Sequence, residues 1–234
     1  MRITAYGEDA LLVNFVQAIE PELNDKVNLL ANKLRNEHYI TSMIPAYCSL
    51  TLSYDPNKIS FNELKNTIEA IDLSQEKEQL DKRQLTIPVC YDDKFGIDLS
   101  ALEDQLSITK DEIINCHSST AYRVYMLGFL PGFPYMGITD EKIEAKRRDN
   151  PRKKIEAGSV GLAGRQTGIY PFDSPGGWQI IGRTPIQLFE PQEKIPFLFQ
   201  AGDLVNFKRI SSDEFSEIAA HIKEQTFNWK QIYG

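Results

Sequence analysis

Apolar and polar positions in roughly the first 75 residues follow two alternating periods, those of strand and helix. Ala10 to Val16 is an apolar run broken only by Asn14, the pattern of a buried strand. Pro21 then sits where a first helical turn tolerates it, and Leu23, Val27, Leu30 and Leu34 share one face, predicting an amphipathic helix to about Asn36. Tyr47 to Tyr54 alternates strictly, with Cys48, Leu50 and Leu52 opposite Ser49, Thr51 and Ser53, which predicts a half-exposed strand. After the turn Asp55-Pro56-Asn57, Ser60 and Glu63 form a capping box for a helix from Phe61 to about Ile71.

From Asp72 to Gln84 the period disappears and charge dominates, so this stretch reads as a linker with a domain boundary near Asp81. The expected units are residues 1–81, a small α/β domain, and residues 82–234. The second opens on Leu85 to Cys90, where Pro88 predicts an edge strand or a bulge. A short helix is expected over Asp98 to Leu106. Thr109 and Glu112 cap a second one that carries Ile113, Ile114 and His117. Tyr122 to Leu130 reads as a strand, and Pro131 to Gly137, PGFPYMG, as a loop. Lys142 to Lys154 holds seven basic residues among acidic ones and reads as a solvated loop or face. Ile186 to Phe189 and Leu204 to Phe207 look like strands. Ser211 with Glu214 caps a last helix bearing Phe215, Ile218, Ala219 and Ile222.

The stretch from Pro151 to Pro185 stands apart. Gly158, Gly161, Gly164 and Gly168 recur every three or four residues, and Pro171, Pro175, Gly176, Gly177, Gly182 and Pro185 follow. No long helix or uninterrupted strand can run through such spacing. Brief strands at Ser159 to Ala163 and Trp178 to Ile181, joined by tight turns, predict a compact β layer that presents a surface.

Composition narrows the function. With 234 residues, 41% hydrophobic and 25% charged, the chain has the make-up of a globular protein with a sizeable core. A net charge of −7, with 8 basic and 13 acidic residues before Arg83 and 18 and 20 from there on, argues against nucleic acid or an anionic membrane as partner. No apolar run reaches the ~20 residues of a membrane span, and MRITAYGEDA lacks a signal peptide's apolar core, so a cytoplasmic location is expected. Cys48, Cys90 and Cys116 are odd in number and widely spaced, as for core thiols in a reducing compartment.

Candidate chemistry follows from what is missing as much as from what is present. There is no GxxxxGK[ST], no GxGxxG after a strand, no HExxH and no GxSxG, so no nucleotide loop, zinc site or nucleophile elbow is legible, and no metal is expected. His117 ends a capped helix, where its cationic form is favoured and it could act as acid, base or donor; a packed structural histidine is the alternative. Arg152, Lys153, Arg165 and Arg183 could form an anion-binding rim. Gly158 and Ser159 open the glycine ladder, and Gln166, Thr167 and Tyr170 sit between its later glycines. Ser174, Gly176, Gly177 and Trp178 add a hydroxyl, backbone amides and an indole. The set suits a small polar ligand, or a protein contact anchored by Phe133, Tyr135 and Trp178.

Four long motifs carry a resemblance. YRVYMLGFLPGFPYMG from Tyr122, PRKKIEAGSVGLAGRQTGIYP from Pro151, SPGGWQIIGRTP from Ser174 and AGDLVNF from Ala201 closely resemble the PxpB/KipI family, also called allophanate hydrolase subunit 1 or the carboxyltransferase C/D-type domain. GEDALLVNF from Gly7 and PAYCSLTLSYDP from Pro45 fit as well. The chain departs from the family pattern at Ile155-Glu156-Ala157-Gly158, where a VPAG-like turn is expected, and at Gly96-Ile97-Asp98-Leu99, where GPDL is common. The resemblance implies an α+β N-terminal domain followed by a mainly β, cyclophilin-like barrel. It further implies a hydrolase role as the B component of an ATP-dependent 5-oxoprolinase, a hetero-oligomer with C and A components that converts 5-oxo-L-proline to L-glutamate. Its ATP-binding site would be shared with or supplied by those partners. Family members are also described as inhibitors of a histidine kinase, and relatives form the carboxyltransferase part of urea carboxylase.

Overall fold

The computed structural model describes residues 1–74, 83–192 and 196–233. The chain divides into two units, Met1–Lys82 and Arg83–Gly234. The boundary expected at Asp81 lies outside the described residues.

In the first unit, strands β1 (Arg2–Ala5), β2 (Ala10–Asn14), β3 (Ile40–Pro45) and β4 (Ser49–Tyr54) form an antiparallel sheet in the order β1-β2-β4-β3. Helices α1 (Pro21–Leu34) and α2 (Phe61–Glu69) bury one face each against it. Val27, Leu30 and Leu34 of α1 and Leu64 and Ile68 of α2 meet Leu11, Val13, Leu50 and Leu52 in one core. Each such side chain contributes about 1.5–3 kcal/mol by leaving water. The alternation read over β4 is reproduced, with Leu50, Leu52 and Tyr54 buried and Ser49, Thr51 and Ser53 half-buried. The box at the start of α2 forms in both directions, Ser60 accepting from the Glu63 N–H and Glu63 from the Ser60 N–H. The two strands that the pattern does not announce, β1 and β3, are the sheet's edges. Edge strands bury too little on either face to leave a clean period, and β3 alternates irregularly.

The second unit is a closed barrel. Its strands are β5 (Gln84–Cys90), β6 (Tyr122–Leu127), β7 (Pro134–Gly137), β9 (Ser159–Ala163), β10 (Gln166–Ile169), β12 (Gln179–Arg183) and β13 (Leu204–Ile210), closing in the order β10-β7-β6-β13-β5-β12-β9. A two-stranded sheet of β8 (Arg152–Ile155) and β11 (Ser174–Gly176) lies outside this ladder. Helices α3 (Leu99–Leu106), α4 (Lys110–Ser118) and α5 (Ser212–Lys223) complete the unit, with α4 and α5 opened by the capping boxes at Thr109 and Ser211.

Several expectations are corrected here. The segment from Leu85 to Cys90 is not an edge: β5 runs parallel to β13 along its whole length and meets β12 at Cys90. Pro88 is tolerated because residues alternate sides. The Thr86 N–H turns away from β13 to the Ile232 carbonyl, and Pro88 faces that same side, between Ile232 and the pairing at Cys90. PGFPYMG is a loop only to Phe133. Its second half is β7, paired with both β6 and β10. The expected strand from Tyr122 accordingly stops at Leu127, and Phe129 takes a left-handed backbone, φ +65°. Ile186 to Phe189 is not a strand: only Phe189 forms an isolated bridge, to Phe197, although Ile186 and Leu188 are buried.

Candidate functional site

The glycine-rich stretch supplies five short strands, and alternation along them separates two faces. Val160, Leu162 and Ile169 turn into the large core with Val124, Met136 and Phe207. Ala163, Ile180 and the rings of Phe133, Tyr170 and Trp178 form a second, smaller cluster on the opposite face. The ladder's logic lies in the register: Gly168 pairs directly with Gly161. A Cβ on Gly168 would stand 2.8 Å from the Phe133 ring, and one on Gly161 would stand 3.1 Å from Trp178 Cβ. This bare patch of sheet lets both aromatics lie close to the backbone.

The aromatics border a pocket of ≈190 Å³. Phe133 stands edge-on to Trp178 at 5.4 Å and to Tyr170 at 5.2 Å, while Tyr135 is 4.9 Å from Phe133 and 5.8 Å from Trp178. Gln166, Gly176, Gly177 and Arg147 complete the walls, and Phe129, 61% exposed, stands at the rim. Burial pushes the Tyr170 phenol up to about 12 against smaller opposing effects of the Trp178 backbone and the Arg147 charge, so it remains a neutral donor at physiological pH. Gln166, Tyr170, Gly176, Gly177 and Trp178 thus line one pocket.

The other predicted residues do not share this pocket. Thr167 points the opposite way from Gln166, and its hydroxyl lies 2.8 Å from Nε2 of His117. The His117 ring is wholly buried, with Nδ1 2.8 Å from the Tyr91 hydroxyl and the faces stacked on Phe207 and Tyr122 at 4.4 and 5.3 Å. The expected cation at the helix end is therefore overturned: desolvation lowers the pKa to about 3, and the ring is neutral. The helix-end field favours a cation by about 0.3–2 kcal/mol, which is less than the cost of burying the charge.

The arginine rim is corrected as well. Arg152 donates through both Nη atoms to Asp98, at 2.9 and 2.5 Å. Arg165 donates to the Thr139 carbonyl and to Glu141, and Arg183 to the Ala157 carbonyl and Glu156. These guanidiniums brace loops instead of offering themselves to an anion. Lys153 is exposed on β8. Gly158, at φ +81°, fits beneath the Thr184 carbonyl, where a Cβ would approach to 2.3 Å, and Ser159 is buried next to it. Ser174 is buried with no hydrogen-bond partner for its hydroxyl among the described residues.

Two important residues escape sequence reading. Asp98, 2% exposed, gathers Arg148, Arg152 and the Ile180 N–H, and so ties the start of α3 to β8 and β12. Arg147 stands inside the charged run read as a solvated face. That reading fails for Arg148 and Arg152, which are half-buried on Asp98; Arg147 is exposed as a solvated face requires, and it also lines the pocket. No group of three or more His, Cys, Asp or Glu among the described residues could hold a metal ion. No helix among them is long and apolar enough to cross a membrane.

The chain is 40% identical to the 5-oxoprolinase B subunit of Bacillus subtilis over 228 residues, covering 92% of this chain and 95% of that one. It is 37% identical to the 5-oxoprolinase B subunit of Haemophilus influenzae, covering 88% and 97%. Among solved structures, TTHA0988 superposes with a TM-score of 0.79 at 33% identity; the match covers 87% of this chain and 40% of that longer one. The profile of the carboxyltransferase domain, subdomain C and D, matches residues 1–199. Spanning the α/β unit and most of the barrel with its aromatic pocket, this match shows that the chain belongs to the carboxyltransferase domain, subdomain C and D, family.

Proposed function

We propose that this chain is the B component of a cytoplasmic 5-oxoprolinase, which opens 5-oxo-L-proline to L-glutamate with ATP and works with C and A components. The observation that carries the reading is the near full-length likeness to proteins of that name, at 40% identity over 92% of this chain and 95% of its relative. The pocket's size and aromatic walls agree with a single small ring as ligand. Opening a lactam needs activation, because the amide is a poor acyl donor; phosphorylation of the amide oxygen makes the carbonyl carbon open to water. With no nucleotide loop in the sequence, ATP is bound by the partners or between them and this chain.

Within this chain the aromatic walls exclude water from the ring, and Gln166 and the Tyr170 hydroxyl face the ligand as polar groups. His117 is a positioning residue. Its neutral ring pins Thr167, and hence the strand that presents Gln166, to α4 and Tyr91. The test is reconstitution: the chain is purified alone and with its genomic neighbours, and glutamate formed from 5-oxoproline and ATP is measured. Activity that requires this chain is expected. A full set without activity, or a set equally active when this chain is left out, would refute the assignment.

A further inference from the structure

The backbone on both sides of Arg147 is held against the pocket. Ala145 and Gly164 exchange backbone hydrogen bonds, at 3.3 and 2.6 Å. The Gln179 carboxamide donates to the Lys146 carbonyl at 3.0 Å, and the Arg148 N–H donates to the Gly177 carbonyl at 2.8 Å. The Arg148 side chain is drawn off in another direction, to buried Asp98 at 3.1 Å. Arg147 is left between these anchors, lining the pocket, and it makes no ion pair or hydrogen bond with another described residue. It shares the pocket lining with Tyr135 and Tyr170, and its charge opposes the upward shift of both phenols.

A guanidinium presented on a pinned backbone, beside an aromatic wall and without a partner among the described residues, is complementary to a small anion carried by a compact apolar body, and a carboxylate on a single ring meets both demands. At ≈190 Å³ the pocket lies below the ~300–1,000 Å³ typical of drug-sized ligands, which suits a single ring and excludes a whole nucleotide. We propose that Arg147 is the specificity-determining residue of this pocket and pairs with the carboxylate of a small cyclic acid whose ring lies against Phe133, Tyr135 and Trp178. The identity of that acid as 5-oxoproline rests on the function proposed above; its charge and size rest on the pocket.

Trp178 supplies the readout. The chain has two tryptophans, so Trp229→Phe leaves an indole in the pocket as the only one. In this background 5-oxoproline is expected to change the fluorescence saturably, and 2-pyrrolidinone, the same ring without the carboxylate, to bind at least tenfold more weakly. Arg147→Gln is expected to weaken 5-oxoproline at least tenfold, which equals about 1.4 kcal/mol, while leaving 2-pyrrolidinone unchanged. Arg147→Lys, which keeps the charge and loses the fork, falls between. In the reconstituted enzyme Arg147→Gln raises KM with little change in kcat. If the 5-oxoprolinase reading is wrong and this one is right, the assembled components turn over nothing, yet pyrrole-2-carboxylate or proline still binds in an Arg147-dependent way. Equal affinities of Arg147→Gln and the parent for the acid, or no saturable response to any of these carboxylates in chain or complex, would overturn the proposal.

Discussion

Acidification offers a sharp test of His117. In the unfolded chain its imidazole takes up a proton near the usual 6.5, whereas burial in the folded barrel delays protonation to about 3. Between these values the unfolded state binds the additional proton, so stability is complete above pH 6.5 and falls as the pH drops. The slope approaches 1.4 kcal/mol per pH unit, and the loss between pH 7.5 and 4.75 sums to about 2 kcal/mol. Even at the acid end only about a quarter of unfolded glutamate, near ~4.3, is protonated, so the histidine dominates the slope in this window. Both tryptophans, Trp178 and Trp229, belong to the Arg83–Gly234 unit, so urea unfolding followed by their fluorescence reports on that unit alone. His117→Gln is expected to be less stable at every pH, because it loses the ring stacking on Phe207 and Tyr122, but its curve between pH 4.75 and 6.5 should be nearly flat. A wild-type curve that is flat in this window, or a variant that keeps the wild-type slope, would refute the buried neutral imidazole and reopen a catalytic role.

Other outcomes follow from the same geometry. Asp98→Ala leaves the Arg148 and Arg152 guanidiniums without their shared carboxylate. Because these are 35% and 22% exposed, water offsets part of the cost, and about 3 kcal/mol is expected, at the low end for a broken buried pair. Calorimetry should register a fall in Tm of about 6 °C or more; a change under ~2 °C would contradict the anchoring role. Gly158→Ala combines a left-handed backbone with a 2.3 Å approach to the Thr184 carbonyl and should cost about 2 kcal/mol or more in urea unfolding. Gly168→Ala pushes the Phe133 ring from its seat, so ligand-induced quenching of Trp178 should weaken even where the fold survives, and unchanged binding would show that the pocket does not use that wall.

Sequence alone determined the features whose physics is local. Each of the boxes at Ser60, Thr109 and Ser211 closes within four residues, and each helix forms where its box stands. The alternation at Leu50 and Leu52 and the glycine spacing from Gly158 to Gly168 needed no distant partner to be read, and the long motifs from Tyr122 onward carried the family. Tertiary structure decided everything that depended on where the chain returns. Pro88 is admitted to a barrel strand because the side it faces is unpaired there, and the edge strands β1 and β3 gain their identity only from a neighbour. Asp98 meets Arg148 and Arg152 across 50 and 54 residues and removes one of them from the expected anion site. His117 loses its charge because the barrel closes around it. Arg147, indistinguishable by sequence from the cations beside it, differs from them because a backbone pinned at Ala145, Lys146 and Arg148 presents it to the pocket while its neighbour is drawn to Asp98.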